Sequence, residues 1–339
     1  MIIQAKHLTR DFKIYKARSS FHMLNQILRR KGEIKRVVDG VDLEIQEGEF
    51  VGYLGPNDAG KSTTIKMLSG VLQPTLGEIS VLGLNPSKDR KKYAQQIGVL
   101  YGQRTQLWWD LPLRDSFDLL KAIYNIPQTD FTKRLHRFIE LLDMHEFINQ
   151  PVRQLSLGQR MKGEMVAALI HNPRILFLDE PTIGLDVLAK DRIQEFLAYI
   201  NKEEKVTVML TSHNMDDVER LCKRIILIDQ GKVKFDGAKD ALRDLVKQSK
   251  LLILEVAAGD MKLNHPLPYA PIKEEGNRLF FEVADDAEVS QIIAASAQSY
   301  SILKVDIEEP KIDSVLKELY LSKNYQAAPR RMVIEPINP

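Results

Sequence analysis

The stretch Gly55-Pro56-Asn57-Asp58-Ala59-Gly60-Lys61-Ser62-Thr63 spaces its glycines, lysine and hydroxyls as G-x-x-x-x-G-K-[ST]. In that pattern successive backbone N–H groups at a helix N-terminus converge on phosphate. Lys61 would reach the terminal phosphates and the Ser62 hydroxyl would ligate magnesium. Three apolar runs point further chemistry at the same place. Ile175 to Leu178 is expected as a central parallel strand that delivers Asp179 and Glu180 at its C-terminal end. Val206 to Thr211 repeats that design and delivers His213, while Ile97 to Tyr101 is followed closely by Gln103. Hydrolysis of a nucleoside triphosphate needs a phosphate cradle, metal ligands, an oriented water and groups that meet the charge on the transferred phosphoryl. Asp179 would share the metal with Ser62, Glu180 would act as general base or water-positioning group, Gln103 could touch both metal and water, and His213 could donate to the γ-phosphate.

Positioning these groups requires an open α/β sheet, in which ligands bind beyond the C-terminal strand ends. Phe50, Val51, Tyr53 and Leu54 make a buried strand before the glycine-rich loop, and Ser62 to Leu68 a helix after it, closed by Gly70. A second anion site is expected at Leu155-Ser156-Leu157-Gly158-Gln159-Arg160, where a new helix would expose its first amides and Ser156.

With both loops in place, residues 1 to about 240 resemble an ATP-binding-cassette (ABC) nucleotide-binding subunit. The resemblance implies ATP and Mg2+ as cofactors and a pair of cassettes that sandwich two ATP molecules head to tail. Gly55 to Thr63, with Thr64 beyond, stands at the family's Walker A motif and Gln103 at its Q-loop. Ser156, Gly158 and Gln159 stand in the signature that completes the partner's site. Ile175 to Asp179 followed by Glu180 matches Walker B and its glutamate, Gly184-Leu185-Asp186 the D-loop, and His213 the switch histidine. For the aromatic that stacks on adenine, Phe12 fits best by register and Tyr15 is the alternative. Leu157 and Asp58 both replace family glycines, and Asp58 adds a carboxylate to the phosphate loop.

The implied fold is an α/β P-loop NTPase cassette: a mostly parallel core sheet with an antiparallel β subdomain and an inserted helical subdomain at about 104–172. A small α+β domain at 241–323 and an unstructured tail at 324–339 follow. Residues 15–36 form a basic insertion whose Phe21, Leu24, Ile27 and Leu28 share a helical face, suited either to an anionic surface or to packing on their own domain. Trp108 and Trp109 are candidates for interface anchors or for core filling.

Lys plus Arg 48 against Asp plus Glu 46 leaves a net charge of +2, which argues against a nucleic-acid partner. The single cysteine, Cys222, excludes an intramolecular disulfide. The N-terminus lacks the order of a signal peptide, and no apolar run approaches the ~18 to 20 residues that cross a bilayer. The expectation is a cytoplasmic protein, peripheral on the inner face of the membrane through a separate permease. A lone cassette with this appendage resembles the ATPase subunit of an ABC-2-type exporter. The rival readings are a regulator with impaired hydrolysis, because of Asp58, and a soluble ABC ATPase acting on DNA or ribosomes.

Overall fold

In the computed structural model, residues 1–14, 33–102, 104–212, 214–244, 249–257, 269–308 and 316 are described. The chain divides into two units, Met1–Gly237 and Ala238–Gln326.

The first unit is built on a six-stranded sheet ordered β5-β6-β7-β3-β8-β9. Its strands are β3 (Phe50–Leu54), β5 (Ile97–Tyr101), β6 (Ile175–Asp179), β7 (Thr207–Thr211), β8 (Arg224–Asp229) and β9 (Lys232–Ala238). β5, β6, β7, β3 and β8 pair with one another in parallel. Continuous apolar stretches such as Leu176-Phe177-Leu178 are buried on both faces, as a central parallel strand must be. Register carries the functional consequence. Tyr101 pairs with Asp179 and Asp179 with Thr211, so β5, β6 and β7 end level with one another. The side chains delivered after those ends therefore start from one line.

A three-stranded antiparallel sheet lies in the order β2-β1-β4, from β1 (Ile3–Ile14), β2 (Glu33–Ile45) and β4 (Leu76–Val81). Its inner residues Ile3, Leu8, Val38, Leu43 and Ile45 share one core with Val51 and with Ile65 and Leu68 of α1 (Lys61–Leu68). Tyr93 of α2 (Arg90–Ala94) joins it. Here the structure corrects one boundary. Glu33 to Arg36, expected within the basic insertion, are strand residues paired with Ile14 back to Asp11. Arg36 is held there by Asp11, at 2.9 Å, and Asp39, at 3.1 Å. The rest of the insertion, including Tyr15, lies outside the described residues.

The helical portion comprises α3 (Leu113–Tyr124), α4 (Gln128–Leu142) and α5 (Leu157–Leu169). Phe117, Leu120, Phe131, Leu135 and Phe138 recur at helical spacing and are buried. Phe138 meets Phe196 of α6 (Val187–Glu203) edge to face, with centroids 5.3 Å apart. Trp108 and Trp109 are 37% and 49% exposed, so neither fills this core. A short helix, α7 (Met215–Leu221), precedes β8.

The second unit contains α8 (Lys239–Asp244), β10 (Lys250–Val256), β11 (Lys273–Glu275), β12 (Arg278–Val283), α9 (Asp286–Ser296) and β13 (Ile302–Glu308). Its sheet runs β11-β12-β10-β13, with Leu252, Leu254, Phe281 and Val283 packed against Val289 and Ile292 of α9. The end of the expected α+β domain, from 309 onward, and the tail lie outside the described residues apart from Leu316, which is buried.

Candidate nucleotide site

The glycine-rich loop joins β3 to α1, and its backbone is fixed by lack of room. A Cβ on Gly55 would lie 2.2 Å from the Ile228 carbonyl oxygen of β8. Gly60, at φ 106, would place one 2.7 Å from the carbonyl of Val37. Ala59 accepts from Gly231 N–H at 3.0 Å, which ties the loop to the β8–β9 turn. Within this frame Asp58 adopts φ 63, a left-handed conformation that aspartate tolerates better than most residues. Its side chain is exposed.

Lys61, only 6% exposed, donates from Nζ to the carbonyls of Gly55 at 2.6 Å and Pro56 at 2.9 Å. Burial lowers the affinity of its amine for a proton, and the negative charges of Glu180, Asp179 and Asp58 oppose that shift. Asp58 therefore favours the ammonium form of the lysine beside it. The Ser62 hydroxyl donates to Asp179 Oδ1 at 3.1 Å, and the Thr211 hydroxyl donates to the same oxygen at 2.7 Å. Thr63 continues α1, whereas Thr64 is fully buried and turns both its N–H and its hydroxyl to the Gly60 carbonyl, at 2.9 and 3.0 Å. Thr64 thus braces the loop from within.

Glu180 follows β6 with φ 56, and its N–H donates to Thr211 at the carbonyl, 3.0 Å, and the hydroxyl, 3.2 Å. Gly102 approaches from β5: its N–H donates to the Asp179 carbonyl at 2.9 Å, and a Cβ there would meet the Glu180 carbonyl at 2.7 Å. Gln103 and His213, each a neighbour in sequence of this cluster, lie outside the described residues. Phe12 is half-buried on β1, opposite Lys35 of β2, with the Arg10 guanidinium 4.8 Å from its ring centroid.

The stretch expected to form a second anion site is a helix start. Ser156 caps α5: its hydroxyl accepts from Gln159 N–H at 3.2 Å while the Gln159 side chain accepts from Ser156 N–H at 2.9 Å. Gly158 is needed because a Cβ would lie 2.9 Å from Ala189 Cβ. Asp186 caps α6 by accepting from Ala189 N–H at 2.9 Å, so two helix N-termini meet at this point. Leu157 is 40% exposed beside Gly184.

Sequence reasoning missed two groups. Thr211 is one, although its place as the last residue of an apolar strand was a usable signal. The other is Asp217 of α7, a carboxylate of 0% exposure. It accepts from Thr182, two residues past Glu180, from Ser212 at 2.9 Å and from Gln194, with Lys190 Nζ at 3.6 Å. The segments that leave β6 and β7 are yoked through it.

Comparison with known proteins places this architecture. A family profile described as ABC transporter matches residues 38–183. The chain is 33% identical over 221 residues to the ABC transporter ATP-binding protein NatA of Bacillus subtilis (strain 168), covering 65% of this chain and 89% of NatA. It is 30% identical over 294 residues to the linearmycin resistance ATP-binding protein LnrL of the same organism, covering 84% of this chain and 94% of LnrL. A dimeric ATP-binding cassette, MJ0796, solved in a post-hydrolysis state with ADP and Pi, superposes with TM-score 0.58 at 25% identity, over 70% of this chain and 98% of that one. The chain belongs to the ABC transporter family. Within it the chain is an ATP-binding subunit, and its chemistry is ATP hydrolysis. No helix among the described residues is long and apolar enough to cross a membrane.

Proposed function

We propose that this chain hydrolyses ATP in a site completed by Ser156, Gly158 and Gln159 of a second cassette, and that the closing movement drives export through a separate membrane permease. The observation that carries this reading is the convergence of a buried lysine, a hydroxyl and a carboxylate at one line of strand ends, with Ser62 and Asp179 3.1 Å apart. The Lys61 ammonium and the loop amides hold the phosphates. A serine hydroxyl and an aspartate are hard oxygen donors, a set that suits Mg2+, which keeps several waters and takes phosphate oxygens as well. Bound there, the ion would neutralise charge on the phosphates. Glu180 orients the attacking water and takes its proton. Gln103 and His213 serve the water and the γ-phosphate, Phe12 stacks on adenine, and Asp186 supports the signature across from the partner.

Export is supported by the names of relatives such as the linearmycin resistance protein and the probable multidrug ABC transporter ATP-binding protein YbhF of Escherichia coli (strain K12), 33% identical over 244 residues. YbhF is the longer chain, since the match covers 38% of it. The second cassette is another copy of this chain or a different cassette, and the permease holds the pair at the cytoplasmic face. A regulatory reading retains one specific observation, the carboxylate of Asp58 in the phosphate loop. MgATP turnover by the purified chain, with and without a co-expressed permease, separates the two. Glu180→Gln is expected to cut turnover about a hundredfold or more while ATP binding persists. Equal and substantial turnover in parent and variant overturns Glu180 as the base, whereas a parent with no turnover above background, with or without the permease, establishes the regulator instead.

A further inference from the structure

Arg160, Gly163 and Glu164 are spaced i, i+3, i+4 on α5 and share one face of it. The segment 104–113 is laid along that face. The Arg160 guanidinium stands 5.9 Å from the Trp109 ring centroid. Gly163 leaves room for Leu113 and Leu107, whose Cδ1 atoms lie 2.7 and 3.1 Å from where its Cβ would be. Glu164, 4% exposed, supplies the polar contact. Its Oε1 accepts from the Thr105 hydroxyl and its Oε2 from Gln106 N–H at 3.1 Å. Gln106 in turn donates from its side chain to the Val99 carbonyl of β5 at 2.8 Å. Both oxygens of a buried carboxylate are therefore committed to the segment that follows Gln103, and the same helix begins with the signature.

We propose that Glu164 is a positioning residue which fastens the segment 104–110 to the signature helix, so that both respond to nucleotide as one body. The inference rests on the composite ATP site proposed above. A carboxylate left without partners in an apolar setting is strongly disfavoured. Pulling the segment away would expose that cost, and moving the helix alone would do the same. The fastening thus resists separation from either side. The exposed rings of Trp108 and Trp109 ride on the fastened segment, and a push on them is delivered to the first turn of α5 through Arg160.

The chain contains 2 tryptophans, both in this segment, so tryptophan emission, excited selectively over that of its tyrosines, reports on it alone. The test uses the full chain carrying Glu180→Gln, titrated with MgATP by tryptophan emission and, separately, with a fluorescent ATP analogue for affinity. The parent is expected to show an emission change that tracks binding. Glu164→Ala should shrink that change at least about threefold while affinity for the analogue stays within about twofold. Glu164→Gln, which keeps one carbonyl acceptor, should restore at least about half of it, and Thr105→Val should add little to Glu164→Ala because the contact it removes is already lost with the carboxylate. An undiminished emission change in Glu164→Ala overturns the inference. So does a loss matched by equal loss of affinity or of far-ultraviolet ellipticity; if Glu164→Ala does not fold, an undiminished change in Thr105→Val overturns it equally. A parent that binds the analogue without any emission change overturns this inference alone. A parent that fails to bind the analogue overturns the composite site, and this inference falls with it.

Discussion

The phosphate loop and the signature helix start both lead into helix N-termini, yet they are held in opposite ways. Around the loop the constraints are backbone atoms: the carbonyls of Ile228 and Val37 stand where a Cβ on Gly55 or Gly60 would go. Around the signature they are side chains, namely the Ser156–Gln159 capping box, Ala189 against Gly158, and Glu164 further along. A strand carbonyl moves only with its backbone, whereas a side chain can change rotamer. The difference explains where each departure from the family pattern falls. Leu157 replaces a glycine on the adaptable side, where its side chain extends into solvent beside Gly184. Asp58 replaces a glycine on the rigid side, and only because its φ of 63 is one that aspartate can adopt with its side chain exposed.

Three substitutions test that contrast. Gly55→Ala should have the largest effect, because the new methyl group meets a sheet carbonyl. Overpacking of this kind costs about 1 to 3 kcal/mol of stability, and we expect nucleotide affinity to fall at least about tenfold. Calorimetric melting together with nucleotide titration checks both; a fully stable variant with normal affinity would mean the loop is not held as described. Ser156→Ala comes next. Loss of the cap should cost about 1 kcal/mol, with turnover down roughly tenfold and single-chain nucleotide affinity unaltered. Equal losses of affinity and turnover would place Ser156 in its own chain's site rather than the partner's. Asp58→Gly is the mildest. A carboxylate about 4 Å from phosphate costs ~1 kcal/mol in a water-like setting, so affinity should rise up to about fivefold. A fall in affinity would show instead that the help Asp58 gives to the Lys61 charge outweighs its repulsion of phosphate.

Much of this arrangement was legible because it follows from local pattern. Leu113 to Tyr124 is bounded in the sequence by Pro112 and Asn125, and the helix has those limits. The strand ends that carry Asp179 and Thr211 follow from continuous apolar runs. The full length of β1 was not legible, since His7 takes φ 50 and shifts of register after Ala5 and Leu8 break the alternation that marks a strand. Lys273 to Glu275 reads as loop because it is polar and exposed, although it pairs with β12. Glu164 and Asp217 could not be recognised for a different reason. Acidic residues on helices are ordinarily solvated, and only tertiary structure brings the hydroxyls and amides that let these two be buried.

Asp217 also bears on how variation in this chain should be interpreted. A screen that scores turnover alone will find it nearly as intolerant of replacement as Glu180, since Thr182 and Ser212 lean on it from the segments that leave β6 and β7. Selection acting there preserves a joint rather than a reagent. An invariant acid in a catalogue of functional variants is in this case evidence of architecture, and a parallel screen for abundance will tell the two kinds of intolerance apart.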